Sequence, residues 1–237
     1  MAFRLPGPGL RPDLRARATE GELLDAALPE AEVLKSLADL RFVNRWLGSR
    51  RGLRRAVARY LPPGGRLLDV GCASGDVTAD LYGHLPGPVF AVGVDSKVLH
   101  LRQAPGILRR VAADVRRLPF RAGSFDVVTA SLFLHHFDAA ELAVVLQELA
   151  RLARRALVVS DLRRALVPYL FGRAVFPLLF ETPVSVHDGL VSIRRGFRES
   201  ELRAAFVAAG LAAVAIRRHF PYRLLAVALT SGQERAS

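Results

Sequence analysis

The sequence predicts an α/β protein, a mainly parallel sheet flanked by helices and preceded by an N-terminal helical cap. Three observations predict it. Short apolar runs alternate with helix-period stretches from residue 66 onward, the pattern of βαβ units. Pro62-Pro63-Gly64-Gly65 separates this region from a purely helical stretch before it. The chain closes on two β-like runs joined by His219-Phe220-Pro221-Tyr222, a link short enough for an antiparallel hairpin.

Residues 1–18 hold Pro6, Gly7, Pro8, Gly9 and Pro12 and are expected to be a mobile tail. From 19 to 60 apolar residues recur at helical spacing, first Leu23, Leu24 and Ala27, then Val33, Leu34, Leu37, Leu40 and Val43. Pro29 is expected in a helical first turn, and Gly48 and Gly52 break the run before a last helix that ends at Leu61. After the boundary come a strand at Arg66–Val70, a glycine turn, a helix at Val77–His84 and a strand at Val89–Val94 ending in Asp95. A helix over Ser96–Gln103, a strand near Leu108–Ala113, a strand at Phe125–Ala130, a helix at Ala139–Leu152 and a strand at Ala156–Ser160 follow. A helix at Glu199–Ala209, with Gly210 as its C′ residue, precedes the runs 211–218 and 223–229. Residues 61–237 are thus one domain, with 161–197 as an insert expected to cover a substrate.

The 237 residues are 51% hydrophobic and 24% charged, so a sizeable core forms and wholesale disorder is excluded. Cys72, the single cysteine, excludes a disulfide framework and a cysteine-cluster metal site. No apolar run has the length of a transmembrane helix, and the first residues lack a secretory h-region. A cytoplasmic protein is expected. The formal net charge is +12, nearly all its basic residues arginine. Codon preference accounts for that excess more simply than a nucleic-acid footprint. The candidate patch, if there is one, is Arg45, Arg50, Arg51, Arg54 and Arg55.

In an open parallel sheet, ligands sit beyond the carboxyl ends of the strands. Leu67-Leu68-Asp69-Val70-Gly71-Cys72-Ala73-Ser74-Gly75-Asp76 reads as buried strand, glycine turn and helix start. Gly71 permits the sharp turn, Gly75 clears space, and the helix N-terminus offers free N–H groups. Asp95, 20 residues after Gly75, ends the next strand, where a carboxylate accepts from both ribose hydroxyls. The full phosphate-binding patterns are absent, and Asp69 would repel a diphosphate while suiting an ammonium group. Asp114, at the end of the third strand, suits an adenine amino group. An ammonium, a ribose and an adenine without phosphate describe S-adenosylmethionine.

LLDVGCASGD, GVD, AADVRRLPF and FDVVTASLFLHHF resemble, in order, the motifs of class I S-adenosylmethionine-dependent methyltransferases, nearest to the UbiE-like (type 11) small-molecule group. The resemblance covers residues 61–160 and, more loosely, the end of the chain. It implies a Rossmann-like seven-stranded sheet, mostly parallel with an antiparallel last strand. It also implies that Gly71, Cys72, Ala73 and Gly75 line the methionine part of the cofactor, with Asp69 near its amino group. Asp95, with Ser96 beside it, would hold the ribose. Asp114 and the Val115 backbone N–H would take the adenine, and Ser131 would lie under the ribose and sulfonium. Ala73 departs from the glycine found there in many members.

On the acceptor side, His135 and His136 follow the fourth strand and Asp161 follows the fifth, so an imidazole and a carboxylate are expected to meet beside the sulfonium. His136 is the favoured base for a hydroxyl acceptor. His187, in a segment read as a loop with a turn at Asp188-Gly189, is an alternative base. Residues 165–180, with Phe171, Phe176 and Phe180, form either an apolar lid, a packed helix or a membrane-contacting segment. Phe42, Asn44, Arg45 and Trp46 are candidates to close the site from the other side. The scattered histidines have no helical zinc spacing, so no metal is expected.

The expected function is methyl transfer to a small, fairly apolar molecule, O-methylation by in-line displacement with a histidine base. A methyltransferase acting on nucleic acid is the second reading. Against it, Ser131-Leu132-Phe133-Leu134 replaces the Asn/Asp-Pro-Pro-aromatic of amino-group DNA methylases. A non-catalytic cofactor-binding protein and a nicotinamide-dependent oxidoreductase complete the alternatives.

Overall fold

In the computed structural model, residues 13–46, 50–85 and 87–230 are described. The chain runs α1 (Glu30–Trp46), α2 (Arg50–Tyr60), β1 (Arg66–Val70), α3 (Asp76–Tyr82), β2 (Phe90–Asp95), α4 (Val98–Arg102) and β3 (Arg109–Ala112). It continues through β4 (Phe125–Ser131), α5 (Ala139–Leu152), β5 (Ala153–Leu162), α6 (Leu166–Leu179), α7 (Pro183–Arg195), α8 (Glu199–Ala208), β6 (Val214–His219) and β7 (Arg223–Leu229). The strands form one seven-stranded sheet in the order β3-β2-β1-β4-β5-β7-β6. The pairs from β3 to β5 are parallel. β7 is inserted antiparallel between β5 and β6.

Alternation along the strands divides the core. Leu68, Val70, Val128, Ala130, Leu157 and Val159 face α5 and α8. Leu67, Val127, Ala156 and Val158 face α2 and α3, as the period of two demands. Asp69 shares the second face, so its carboxylate is delivered among α3 and β4 side chains rather than into solvent. α5 starts in a capping box: Asp138 accepts from the Glu141 N–H at 2.9 Å and Glu141 accepts from the Asp138 N–H at 3.3 Å.

Several expectations need correction. Residues 1–12 lie outside the described residues, but 13–18 are no free tail. Arg17 donates to the carbonyls of His135, Phe137 and Arg195 and its guanidinium lies 4.3 Å over the Phe197 ring. Carbonyls left open by a one-turn helix need donors, and an arginine fork supplies them. Residues 21–29 are extended around a single 3-10 turn, Leu23–Asp25, and Pro29 lies just before α1. Gly48 is outside the described residues. Gly52 lies inside α2, where a Cβ would stand 2.3 Å from His219 Nε2, so it permits close packing of α2 on the sheet. β5 extends past Ser160 to Leu162 and contains Asp161. The segment read as a loop around His187 is the helix α7, started by the Thr182 cap and Pro183. Phe176 fits against Gly172 and Gly189, where added Cβ atoms would meet its ring at 2.6 and 2.8 Å. That close approach joins α6 to α7. Among the described residues, no helix is long and apolar enough to cross a membrane.

Candidate active site

At the carboxyl edge of the sheet lies a cavity of about 750 Å³, within the size range of small-molecule sites. Its two ends are built by different parts of the chain. The first end is lined by Asp69, Gly71, Cys72, Ala73, Asp95 and Ser96, with Asp114, Val115 and Ser131 alongside.

Asp69 is buried and accepts from the hydroxyls of Thr129, at 3.0 Å, and of Thr78. Burial pushes its carboxyl up to about 6, against the hydrogen bonds that favour the charge. Gly71 holds φ +71, and a Cβ there would collide with the Phe133 ring. Ala73 holds φ +47, the left-handed region that favours glycine. Its N–H donates to Asp95 Oδ2 at 2.9 Å, and the Lys97 N–H donates to Asp95 Oδ1 at 2.8 Å. Asp95 therefore ties the glycine turn to the end of β2 and keeps acceptor capacity on each oxygen. Asp114 is exposed and caps a 3-10 turn that begins at Val115, accepting from the Arg116 N–H at 2.9 Å. Burial raises the Cys72 thiol, the behaviour of a packing residue rather than a nucleophile. Gly75 does not line the cavity; it holds φ +67 against Leu108 and Ala104.

At the opposite end, the His–Asp pair forms with the other histidine than the one favoured. His135 Nδ1 lies 2.8 Å from Asp161 Oδ1, both buried. Asp161 Oδ2 also receives the N–H groups of Leu134, at 2.8 Å, and of Phe133 and His135. The 3-10 turn at Leu134–His136 points those donors at the carboxylate, which selects the first histidine of the pair. His136 turns instead toward the cavity and meets Asp25 Oδ2 at 3.0 Å through Nδ1. Burial opposes charge on His135, but Asp161 beside it, with the hydrogen bond to Glu22, prevails and raises it to about 9. Burial likewise works against the charge of Asp161, and the facing His135 holds its pKa below the usual value.

Sequence reasoning missed Glu22 altogether. Glu22 Oε1 is 3.3 Å from His135 Nε2, and Oε2 is 3.8 Å from His136 Nε2. The Ser192 hydroxyl donates to it. Asp188 receives the N–H groups of Leu23 and Leu24 at 2.7 and 2.8 Å, and the Arg195 guanidinium donates to the His135 and His136 carbonyls at 2.8 and 2.5 Å. The segment 17–25 is thus strapped over α7 and the histidine turn. Its acids carry no motif; their sole signal was acidity within an arginine-rich stretch.

His187 does not line the cavity. It pairs with Glu20 at 3.0 Å and Asp188 at 2.9 Å. Asn44 does line it, whereas Phe42 and Trp46 are exposed and Arg45 lies 5.5 Å over the Trp46 ring. Phe171, Phe176 and Phe180 form an apolar wall, with Val167 and Phe220 at the rim.

A family model described as "Methyltransferase domain" matches residues 68–156. The chain is 31% identical over 160 residues to a demethylmenaquinone methyltransferase of Roseiflexus sp. (strain RS-1), covering 65% of this chain and 63% of that protein. It is 37% identical over 115 residues to the Roseiflexus castenholzii protein of the same name, covering 46% and 47%. The chain therefore spans less than two thirds of the length of these relatives. The plantazolicin methyltransferase BpumL superposes with a TM-score of 0.63 at 14% identity, over 85% of this chain and 90% of that one. A SAM-dependent methyltransferase of Aquifex aeolicus gives 0.59 at 13%, over 86% and 99%.

Proposed function

From the premise that this chain belongs to the class I S-adenosylmethionine-dependent methyltransferases of the small-molecule group, we propose that it transfers the methyl group to a hydroxyl of a small, fairly apolar acceptor. The observation that carries the reading is the cavity itself. It joins Asp69 and Asp95, suited to a cofactor, to the Glu22–His135–Asp161 chain across a space walled by phenylalanines. Asp69 takes the ammonium group, Asp95 the ribose and Asp114 the adenine edge. Gly71, Cys72, Ala73 and Ser131 surround the methionine part.

The sulfonium is already activated, so the protein positions the acceptor and excludes water. α6, α7 and the strap 17–25 cover it. The acceptor oxygen attacks the methyl carbon in line, the carbon–sulfur bond breaks, and its electron pair stays on sulfur. The hydroxyl proton passes into the Glu22–His135–Asp161 chain, in which the neutral form of His135, gained as pH rises toward about 9, is the base and Asp161 fixes its tautomer. The Roseiflexus relatives, named demethylmenaquinone methyltransferases, support a small apolar acceptor; the hydroxyl rests on the His135–Asp161 pair alone. The mainly apolar lining of the cavity disfavours a nucleic-acid substrate, which needs a basic surface.

Calorimetric titration with S-adenosylmethionine and with NAD, on the intact protein and on Asp95→Ala, tests the cofactor. Binding of the former alone, lost in the variant, is expected. Methyl transfer is then assayed on apolar phenols and on their methyl ethers. Turnover of the ethers, or of no phenol despite cofactor binding, would sink the O-methylation reading.

A further inference from the structure

The Glu22, His135 and His136 side chains converge in a way that general acid–base chemistry does not require. Asp161 accepts from Nδ1 of His135 at 2.8 Å, and Asp25 accepts from Nδ1 of His136 at 3.0 Å. With both Nδ1 atoms committed as donors, each ring, once its Nε2 proton is displaced, presents its Nε2 lone pair. Both lone pairs face one carboxylate: His135 Nε2 is 3.3 Å from Glu22 Oε1 and His136 Nε2 is 3.8 Å from Glu22 Oε2. The ligand atoms of the three residues all lie within 4.8 Å of one another. Three such groups aimed at a common point are held together by positive charge between them: a proton on a ring nitrogen in the metal-free protein, or a cation that displaces it.

We propose that Glu22, His135 and His136 form a binding site for a divalent transition-metal ion of the zinc class, with its open coordination position toward the cavity. Two imidazole nitrogens and one carboxylate are a borderline-soft donor set, suited to zinc or cobalt and not to calcium or magnesium. Tetrahedral bonds of about 2.0–2.1 Å place ligand atoms roughly 3.3–3.4 Å apart; the His135–Glu22 pair stands at that separation, and His136, 3.8 Å from Glu22, closes in on the ion. Each histidine is backed by its own carboxylate, the outer-shell arrangement that orients metal-bound imidazoles. Ser192 fixes the third ligand by donating to Glu22. All three ligands line the cavity, so a fourth ligand from solvent or acceptor has access. The sequence hides the site because Glu22 stands far along the chain from the histidine pair.

Metal binding itself does not depend on the function proposed above. Resting on that reading, the ion adds one step: an acceptor hydroxyl that coordinates it gives its proton to solvent, and the oxygen attacks the methyl carbon while the electron pair of the broken bond stays on sulfur. The ion then supplies by charge what the metal-free site supplies through the histidine base, and it keeps its oxidation state.

The test titrates the chelator-treated full chain with zinc and, separately, cobalt. One equivalent per chain and the visible absorption of low-coordinate cobalt are expected. Affinity should fall at least tenfold in Glu22→Gln and in His136→Ala, each checked for folding by circular dichroism. Asp25→Asn, which removes only the outer carboxylate, should weaken binding about 10–100-fold. Absence of binding overturns the proposal, as does binding that these folded variants leave unchanged. S-adenosylmethionine titration of the metal-free protein separates the two readings. Cofactor binding without metal binding sinks only the metal site, and metal binding without cofactor binding sinks only the methyltransferase mechanism.

Discussion

Asp69 is a carboxylate whose charge is supported by two threonine hydroxyls and opposed by burial. With its carboxyl raised to about 6, it is mainly ionised at pH 7.5 and mainly neutral at pH 5. Only the ionised form pairs with an ammonium group. S-adenosylmethionine affinity should therefore be nearly constant between pH 7 and 7.5 and about tenfold weaker at pH 5, one pH unit below the folded value. Calorimetry at pH 5, 6 and 7.5 reads this. Asp69→Asn should bind more weakly at pH 7.5 and lose the dependence; an unchanged pH profile in the variant would remove Asp69 from the ammonium site. At this scale the sequence was informative wherever a residue's role follows from its place at a strand end. The places of Asp95 and Asp69 in the cavity lining were legible for that reason. The choice between His135 and His136 was not, because it turns on which ring a one-turn helix points at Asp161.

The element that the sequence concealed is the strap of residues 13–25. Its Pro- and Gly-rich neighbourhood and lack of periodicity mark an irregular segment, and only long-range hydrogen bonds give it a position. Arg17 is its main tie, with three carbonyl acceptors and the face of Phe197. Arg17→Ala leaves those carbonyls without donors and should destabilise by about 2–3 kcal/mol. Urea denaturation should register that loss, and hydrogen exchange should speed most over residues 17–25. Exchange that stays uniform would mean that Arg17 does not hold the strap. The regular elements were legible because burial on a defined face imposes a period; α5 and β1 begin and end at the residues expected. α7 was not, since Asp188-Gly189 has the composition of a turn, while the glycine is there to admit the Phe176 ring.

For the whole molecule, the +12 charge looked like a possible surface property, yet many arginines act as internal ties. Arg50 reaches Asp76 at 2.6 Å, and Arg54 pairs with Asp80, so the expected patch is partly neutralised by α3. Arg164 is fully buried and joins three regions: Leu14 of the strap at 3.1 Å, Gly196 after α7 at 2.5 Å, and Glu201 of α8 at 2.5 Å. Arg164→Leu should cost about 3 kcal/mol, the scale for breaking a buried pair, and should lower the urea midpoint. A midpoint within error of the parent's would show that the strap, α7 and α8 are held together by packing alone.

The two ends of the cavity come from different stretches of the gene. Residues 69–131 supply the end assigned to the cofactor, while 22–44, 167–193 and 220–222 supply much of the facing wall. Selection can therefore act on each stretch independently. Exchange of the outer stretches with 69–131 kept would give a lineage a new acceptor without a new cofactor to learn.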